Sequence, residues 1–505
     1  MKSLNWIFLL GFSLTVASCG AKKSQKVNKT TKPNIVFIFT DDQTYSSIHA
    51  LGNQQIITPN MDKLVNNGTT LTHTYNMGSW SGAVCLASRA MMNTGRFVWN
   101  AKNFAYKKQG NDEKIWSKLM QSGGYETYMT GKWHVHIGAE KVFNHTAHVR
   151  GGMPKDAWDH FKMVAKFDSI KNIKNANPDD LMPVGYNRPK DENDHSWNPA
   201  DKQFGGFWEG GKHWSEVVKD DALQFINHAK TSDKPFFMYL AFNAPHDPRQ
   251  APQEYQDLYN VHEIQVPESF LPEYPYRKSI GNGNNLRDEA LAPFPRTEFA
   301  VKTHIKEYYA SITHADAQIG MILEALEKSG KMDNTYIIFT ADHGLAMGRH
   351  GLLGKQNLFD HSLRPPMVIV GPDIPKNKQV ATDVYLQDAM ATTLELGGIV
   401  KPNYVDFNSF LDIAKGTKTE SFYPEIYGAY LNVQRAIRKN GYKLIVYPEV
   451  PKVLLFDLKN DPEEMHNLSG QEEQKQRVKS LYQDLLQLQK DMNDPLDISK
   501  LYTQL

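Results

Sequence analysis

The chain has 505 residues, 57 basic against 56 acidic side chains, and a formal net charge of +1. That balance gives no support for a nucleic-acid partner, which a basic excess would accompany. The length exceeds one average domain, so a large domain with a smaller one is expected, and 40% hydrophobic residues are enough for sizeable cores.

Residues 1–19 read as an export signal. Lys2 supplies the positive start, Trp6 to Val16 the apolar stretch, and Val16-Ala17-Ser18-Cys19 resembles a bacterial lipobox. The apolar stretch is too short for a comfortable membrane span. On this reading Cys19 becomes the lipidated first residue, and its acyl chains anchor an exported protein to a bacterial membrane, at the periplasmic face or the cell surface. The alternative is an ordinary secretory signal cut near Ser18. Residues 20–32 are polar and basic and form a flexible tether. No later segment is apolar enough to cross a bilayer.

Asn34 to Thr40 is an almost unbroken apolar run of β-branched and aromatic residues, as expected of a strand buried on both faces of a parallel sheet. Similar runs recur at Phe236–Phe242, Tyr336–Thr340 and Met367–Val370. A helix between them is marked by Ile305, Tyr308, Ile312, Ala315, Ile319, Ile322, Leu323 and Leu326 at three-to-four spacing. Alternating strands and helices predict an α/β layered fold with its site at the carboxyl ends of the strands. Asp41-Asp42 and Asp342-His343 stand at two such ends. Tracts 140–215, 247–297 and 343–365 read as long loops or insertions, where substrate walls are usually built. After about residue 400 the pattern changes. Asn440-Gly441 predicts a hairpin turn, and residues 471–492 a closing amphipathic helix. The domains are therefore placed at 33–400 and 401–505.

Cys85 is one of two cysteines, and the other, Cys19, lies in the export signal, so no disulfide partner remains in the mature chain. A free thiol acting as a small hydrophobe is the ordinary reading of such a residue. Its neighbours argue otherwise. Cys85-Leu86-Ala87-Ser88-Arg89, then Thr94-Gly95-Arg96, resembles the type I sulfatase signature, Cys-x-Pro/Ala-Ser-Arg followed by Thr-Gly-Arg. In that family a maturation enzyme oxidises the cysteine to formylglycine (3-oxoalanine). Ala87 stands where proline is commoner. The resemblance covers about residues 33–490 and implies the alkaline-phosphatase-like sulfatase fold: a central, mostly parallel sheet flanked by helices, with a small C-terminal antiparallel-sheet subdomain.

The resemblance also implies a metal site. Taken singly, each acidic cluster could merely cap the turn that follows it. Together, Asp41, Asp42, residue 85, Asp342 and His343 match the family's ligands for one calcium ion, and oxygen-rich ligation suits a hard cation. His343, where asparagine often stands, leaves room for magnesium or manganese. The hydrated aldehyde at position 85 would offer one hydroxyl to attack sulfate and a second to expel it. Arg89 would hold that hydrate. Lys132 and His134, in Gly131-Lys132-Trp133-His134, match the sulfate-binding lysine and the histidine that takes a proton during sulfate elimination. His246, in Ala244-Pro245-His246-Asp247-Pro248-Arg249, matches the central histidine, a candidate to protonate the leaving alcohol. Lys355, in Gly351-Leu352-Leu353-Gly354-Lys355, matches the second sulfate-binding lysine.

The expected activity is hydrolysis of sulfate esters. The expected substrate is a sulfated polysaccharide or its oligosaccharides, of seaweed type such as ulvan or carrageenan, or a glycosaminoglycan. Two alternatives share these features: a phosphoric ester hydrolase on the same scaffold, and a catalytically silent lipoprotein that binds sulfated glycans. Arg249, Arg296, His350 and Arg364 are further candidates for contacts to an acidic sugar.

Overall fold

The computed structural model describes residues 32–105 and 112–501, so the export signal and Cys19 lie outside it. Nine of the strands before residue 400 are used below: β1 (Asn34–Thr40), β2 (Thr69–Leu71), β3 (Gly78–Ser79), β4 (Glu126–Lys132), β5 (His145–Arg150), β6 (Phe236–Ala241), β7 (Thr335–Ala341), β8 (Met367–Val370) and β9 (Lys378–Val380). All but β3 form one sheet in the order β9-β2-β8-β7-β1-β6-β4-β5. From β7 to β5 every neighbouring pair is parallel, and β8 runs antiparallel to β7 and β2.

The apolar runs explain why the middle of this sheet is covered on both sides. Along β1, alternate residues point to opposite faces. Val36 and Ile38 join Met238, Leu240, Ile337 and Phe339 in one core, while Phe37 and Phe39 join Phe237, Tyr239 and Ile338 in another. Five helices are used below: α1 (Val84–Thr94), α2 (His160–Ile170), α3 (Trp214–Lys230), α4 (Glu298–Lys328) and α5 (Lys475–Asp491). The α4 stripe read from the sequence is buried throughout, and the side chain of Thr297 caps the helix by accepting from the Ala300 amide at 3.1 Å. Among the described residues, no helix is long and apolar enough to cross a membrane.

The later part of the chain forms β10 (Ile426–Tyr430), β11 (Gln434–Lys439), β12 (Tyr442–Tyr447) and β13 (Lys452–Asp457), an antiparallel run closed on one edge by parallel pairing of β10 with β3. Asn440 and Gly441, both at positive φ (51° and 79°), make the expected hairpin turn. Gly78 is required where β3 joins, because a Cβ there would stand 2.0 Å from the Ala429 carbonyl oxygen. The apolar face of α5 (Val478, Leu481, Leu485) packs into the core of this sheet. From Lys32 onward the chain is one compact unit.

Two expectations need correction. The tract 140–215 is not simply loop, since β5 and α2 lie within it. The four residues offered as sugar contacts also turn inward. Arg249 is buried against His304 Nδ1 at 3.1 Å, and His350 stacks on Phe359 with ring centres 4.1 Å apart. Arg364 lies 4.0 Å over the Tyr45 ring and donates to the Thr72 carbonyl. Arg296, fully buried, pairs with Glu289 at 2.7 Å. Arg249 and Arg364 are satisfied by partners from distant sequence, Arg296 by Glu289 seven residues back, and His350 Nε2 lies 3.1 Å from the Glu463 carbonyl.

The Glu289–Arg296 pair also positions a loop. The Glu289 carboxylate accepts from the backbone amides of Leu353 and Gly354, at 3.2 and 3.0 Å, just before Lys355. Removing one partner of a buried ion pair leaves the other uncompensated, at about 3–5 kcal/mol. Glu289→Ala is expected to lose stability on that scale in chemical denaturation and to raise hydrogen exchange in residues 351–356. A variant with wild-type stability and exchange would show that the pair does not hold the loop.

Candidate active site

The site starts from strand register. Thr40 of β1 faces Ala341 of β7, so the two strands end level and their next residues, Asp41-Asp42 and Asp342-His343, come out side by side. Asp42 leaves the strand at φ 68°, a left-handed conformation that aspartate tolerates. Its amide donates to Asp342 Oδ1 at 3.1 Å, and its carbonyl accepts from Tyr308 of α4 at 2.7 Å.

On the other side of β1, β4 and β6 pair Gly131 with Ala241. The register of β4 against β5 shifts at Thr130/Gly131, and a Cβ on Gly131 would stand 1.8 Å from the Ala241 carbonyl oxygen. Glycine there, at φ 87°, allows the kink that precedes Lys132. Lys132 Nζ bonds Asp41 Oδ2, and its carbonyl accepts from Arg89 Nη1 at 2.8 Å. Helix α1 places Cys85 in its first turn and Arg89 one turn later. Arg89 reaches Asp342 Oδ2 from Nε at 2.9 Å and lies 4.0 Å from Asp41 Oδ1, over the face of Phe39. Ser88 and Asn76 donate to the Asp342 carbonyl at 2.7 and 2.6 Å. His134, at φ 52°, brings Nδ1 to 3.5 Å from Cys85 Sγ.

Lys355 closes the far side. Its Nζ donates to both carboxylate oxygens of Asp42 at 2.7 Å and lies 3.6 Å from Asp288. His246, five residues past β6, has its Nδ1 2.6 Å from the Asp247 carbonyl and its Nε2 3.2 Å from Arg287 Nη1. A carbonyl only accepts, so the proton sits on Nδ1 and Nε2 presents its lone pair to the guanidinium.

The structure thus gathers Asp41, Asp42, Cys85, Arg89, Lys132, His134, His246, Asp342, His343 and Lys355 at one end of the sheet, from six separate segments. Sequence reasoning missed Arg287, which bonds Asp288 at 2.9 Å and lies 3.4 Å from Asp247. Its only signal was a position in the aperiodic tract after Gly281–Asn285, which no motif marks.

The electrostatics follow from burial. Burial, then repulsion from Asp342, raises the Asp41 carboxyl well above its usual range, and burial also raises Asp42. Burial acts the same way on Asp342, but His343 and Arg89 outweigh it and hold that carboxyl well below. Burial works against the Cys85 thiolate too, yet Lys132, Lys355 and His134 more than offset it, and the thiol becomes far more acidic than usual. The field at residue 85 therefore favours negative charge. Burial, then Lys355 and Arg287, keeps His246 neutral well below its ordinary range.

These residues suit a hard cation. One ligand atom each from Asp41, Cys85, Asp342 and His343 lies within 4.8 Å of the others. Asp41 Oδ1 and His343 Nε2 are buried with no hydrogen-bond partner among the described residues. Three carboxylates meeting at strand ends give the oxygen-rich donor set that calcium or magnesium takes.

A cavity of about 770 Å3 opens over Cys85, His134, His246 and Lys355. Its outer wall comes from Trp158, Phe161 and Phe167 on and beside α2, and from Asn285–Asp288. All three tracts read as insertions contribute to it. A groove of about 870 Å3 at the amino-terminal end of β7 gathers none of the motif residues.

Comparison with known proteins agrees with this geometry. The sulfatase family model matches residues 33–399, and the C-terminal model of N-sulphoglucosamine sulphohydrolase matches residues 348–491. N-acetylglucosamine-6-O-sulfatase of Bacteroides thetaiotaomicron is 25% identical, over 98% of this chain and 92% of its own. An ulvan-active sulfatase of Formosa agariphila is 27% identical, over 92% of this chain and 83% of its own. A solved structure of a protein in complex with its substrate, D-glucosamine-2-N,6-O-disulfate, shares the fold at a TM-score of 0.70 and 22% identity, covering 93% of this chain and 100% of that one. The chain therefore belongs to the sulfatase family, and its reaction is the hydrolysis of sulfuric esters.

Proposed function

We propose that this sulfatase removes sulfate from a sulfated polysaccharide or its oligosaccharides, and that it matures by oxidation of Cys85 to formylglycine. The observation that carries the reading is the pair of buried cations, Lys132 and Lys355, which with His134 hold residue 85 in a field that favours an anion. Above that floor, Trp158, Phe161 and Phe167 give the cavity an aromatic wall. A sugar ring has apolar faces and polar edges, so such a wall can pack on the ring while the sulfate sits on the cations. The two relatives named for sulfated sugars support a carbohydrate substrate of this kind.

Asp41, Asp42, Asp342, His343 and residue 85 would hold one divalent ion, which we assign to calcium from the hard oxygen donors. When present, the ion neutralises sulfate oxygens, and the aldehyde at position 85 supplies, as its hydrate, a nucleophile that the side chains of the genetic code lack. The chain's own residues do the rest. Arg89 ties Asp342 and the Lys132 carbonyl together and so aims both toward residue 85. Lys132 and Lys355 bind the sulfate. His134, at 3.5 Å from the position 85 side chain, takes a proton from it. His246 serves the leaving oxygen, gaining its proton when the sulfate charge offsets Lys355 and Arg287. A maturation enzyme would perform the oxidation. Lipidation at Cys19 and export to a bacterial membrane complete the reading, since an anchored enzyme suits external polysaccharide.

Three measurements test it. Cys85→Ala is expected to lower turnover at least about a thousandfold, with intact mass showing aldehyde in the wild type; near-normal turnover would end the formylglycine reading. Elemental analysis should find about one calcium per chain at the strand ends, and Asp342→Asn should lose it along with activity; a metal-free wild type at full rate would refute the ion. His246→Ala should cost on the order of a hundredfold on a carbohydrate sulfate and much less on nitrophenyl sulfate, whose leaving group needs no proton. Equal losses would mean that His246 shapes the pocket instead.

A further inference from the structure

A second group of ligand-type side chains lies at the opposite end of the sheet. Glu126 is the first residue of β4 and His145 the first of β5, while His228 stands in the last turn of α3. Residues two apart on a strand share a face. Glu126 and Tyr128 therefore point the same way, and Tyr128 is the register partner of His145. Helix α3 packs across that face, with Phe225 against the Tyr128 ring at 5.2 Å. One side-chain atom from each of Glu126, His145 and His228 lies within 4.8 Å of the others.

The details are those of a metal-ligand set with its supporting contacts. His145 Nε2 is 3.0 Å from Glu126 Oε1. The His145 ring is stacked on Tyr128, with centroids 4.6 Å apart and planes within 16°, which fixes its orientation. The two imidazoles lie 4.8 Å centre to centre. His228 Nδ1 is 2.8 Å from the Tyr128 hydroxyl. With the Tyr128 hydroxyl on Nδ1, Nε2 is the nitrogen left to take a metal, and such outer contacts commonly set the tautomer of a metal-bound histidine. Ser232 braces the other Glu126 oxygen at 3.3 Å. Glu126 and His145 are partly exposed and His228 is exposed, so an ion can enter and keep a water as its fourth ligand.

From this geometry we infer a second metal site, formed by Glu126, His145 and His228, that takes a divalent transition-metal ion of the zinc type. Two imidazoles and one carboxylate form a borderline donor set that prefers zinc and its neighbours to calcium or magnesium. Bonds of about 2.1 Å at tetrahedral angles need ligand atoms about 3.4 Å apart. The His145–Glu126 distance is already close to that, and the rest is a rotamer adjustment of the exposed His228. The site is chemically and spatially separate from the catalytic one: Glu126 and Lys132 mark opposite ends of β4, about 20 Å apart. Its effect is mechanical. Among the described residues β5 is the edge strand of the large sheet and pairs with β4 alone, so an ion here ties that edge to α3.

The test uses the matured enzyme with its catalytic site kept filled by excess calcium. Titration with Co2+ should produce the visible absorption of a tetrahedral site, saturating at one equivalent, and Zn2+ should displace it. Zn2+ at about a hundredfold over its Kd should raise Tm by about 2–4 °C and slow hydrogen exchange in residues 145–150. His228→Ala and Glu126→Gln should each abolish the spectrum and the Tm shift while aryl sulfate turnover stays unchanged. Glu126→Gln keeps the hydrogen-bonding shape, which separates lost ligation from lost folding. Wild-type enzyme that binds no Co2+ beyond its calcium, or variants that retain the spectrum and the shift, would overturn the site.

Discussion

Three carboxylates are forced together where β1 and β7 end in register, and the rest of the site answers that crowding. Parallel pairing of Thr40 with Ala341 leaves Asp41, Asp42 and Asp342 no room to separate, and all three are cut off from water. Unpaired, such a group would be prohibitively costly to bury. The chain surrounds it with opposite charge from three other segments, Arg89 from α1, Lys132 from β4 and Lys355 from the loop after β7, and with His343 from the strand end itself. The same cations that stabilise the carboxylates create the anion-favouring field at residue 85. Structural need and the binding of sulfate are therefore met by one arrangement.

That arrangement requires precise backbone placement, and the scaffold supplies it with buried polar contacts. Gly131 lets β4 kink beside β6, Tyr308 of α4 braces Asp42 from below, and Ser88 and Asn76 hold the Asp342 carbonyl. The Glu289–Arg296 pair pins the loop that carries Lys355. Charged residues far from the chemistry thus act through position. Arg249, His350 and Arg364, which composition would assign to solvent, belong to the same class of inward-facing supports.

The wall above the site has a different character. Phe161 is 85% exposed and Val164 44% exposed on α2, beside the cavity. An apolar helix face beside a strongly charged floor divides the pocket into a part that grips an anion and a part that meets a ring. Such a division lets the wall vary with substrate while the charged floor, held by strand register, stays the same.

Much of this was legible in the chain. The apolar runs at Asn34–Thr40 and Phe236–Phe242 announced doubly covered strands because a parallel sheet leaves neither face in water. The stripe on α4 and the Asn440-Gly441 turn are local patterns, and each formed where its spacing placed it. The residues of the site were visible where short motifs carry them: Cys85 with Arg89, Lys132 with His134, and the acidic pairs at strand ends. Tertiary structure alone decided what has no local pattern. Arg287 lies beside His246 through a fold of the 247–297 tract, and Glu289, paired with Arg296 seven residues on, meets the Lys355 loop across distant sequence. Glu126, His145 and His228 meet only because two strand starts and a helix end converge. Periodicity reports which face of an element is apolar, since that is set by neighbours along the chain. Which buried charge meets which partner depends on how the elements pack, and a linear sequence does not display that.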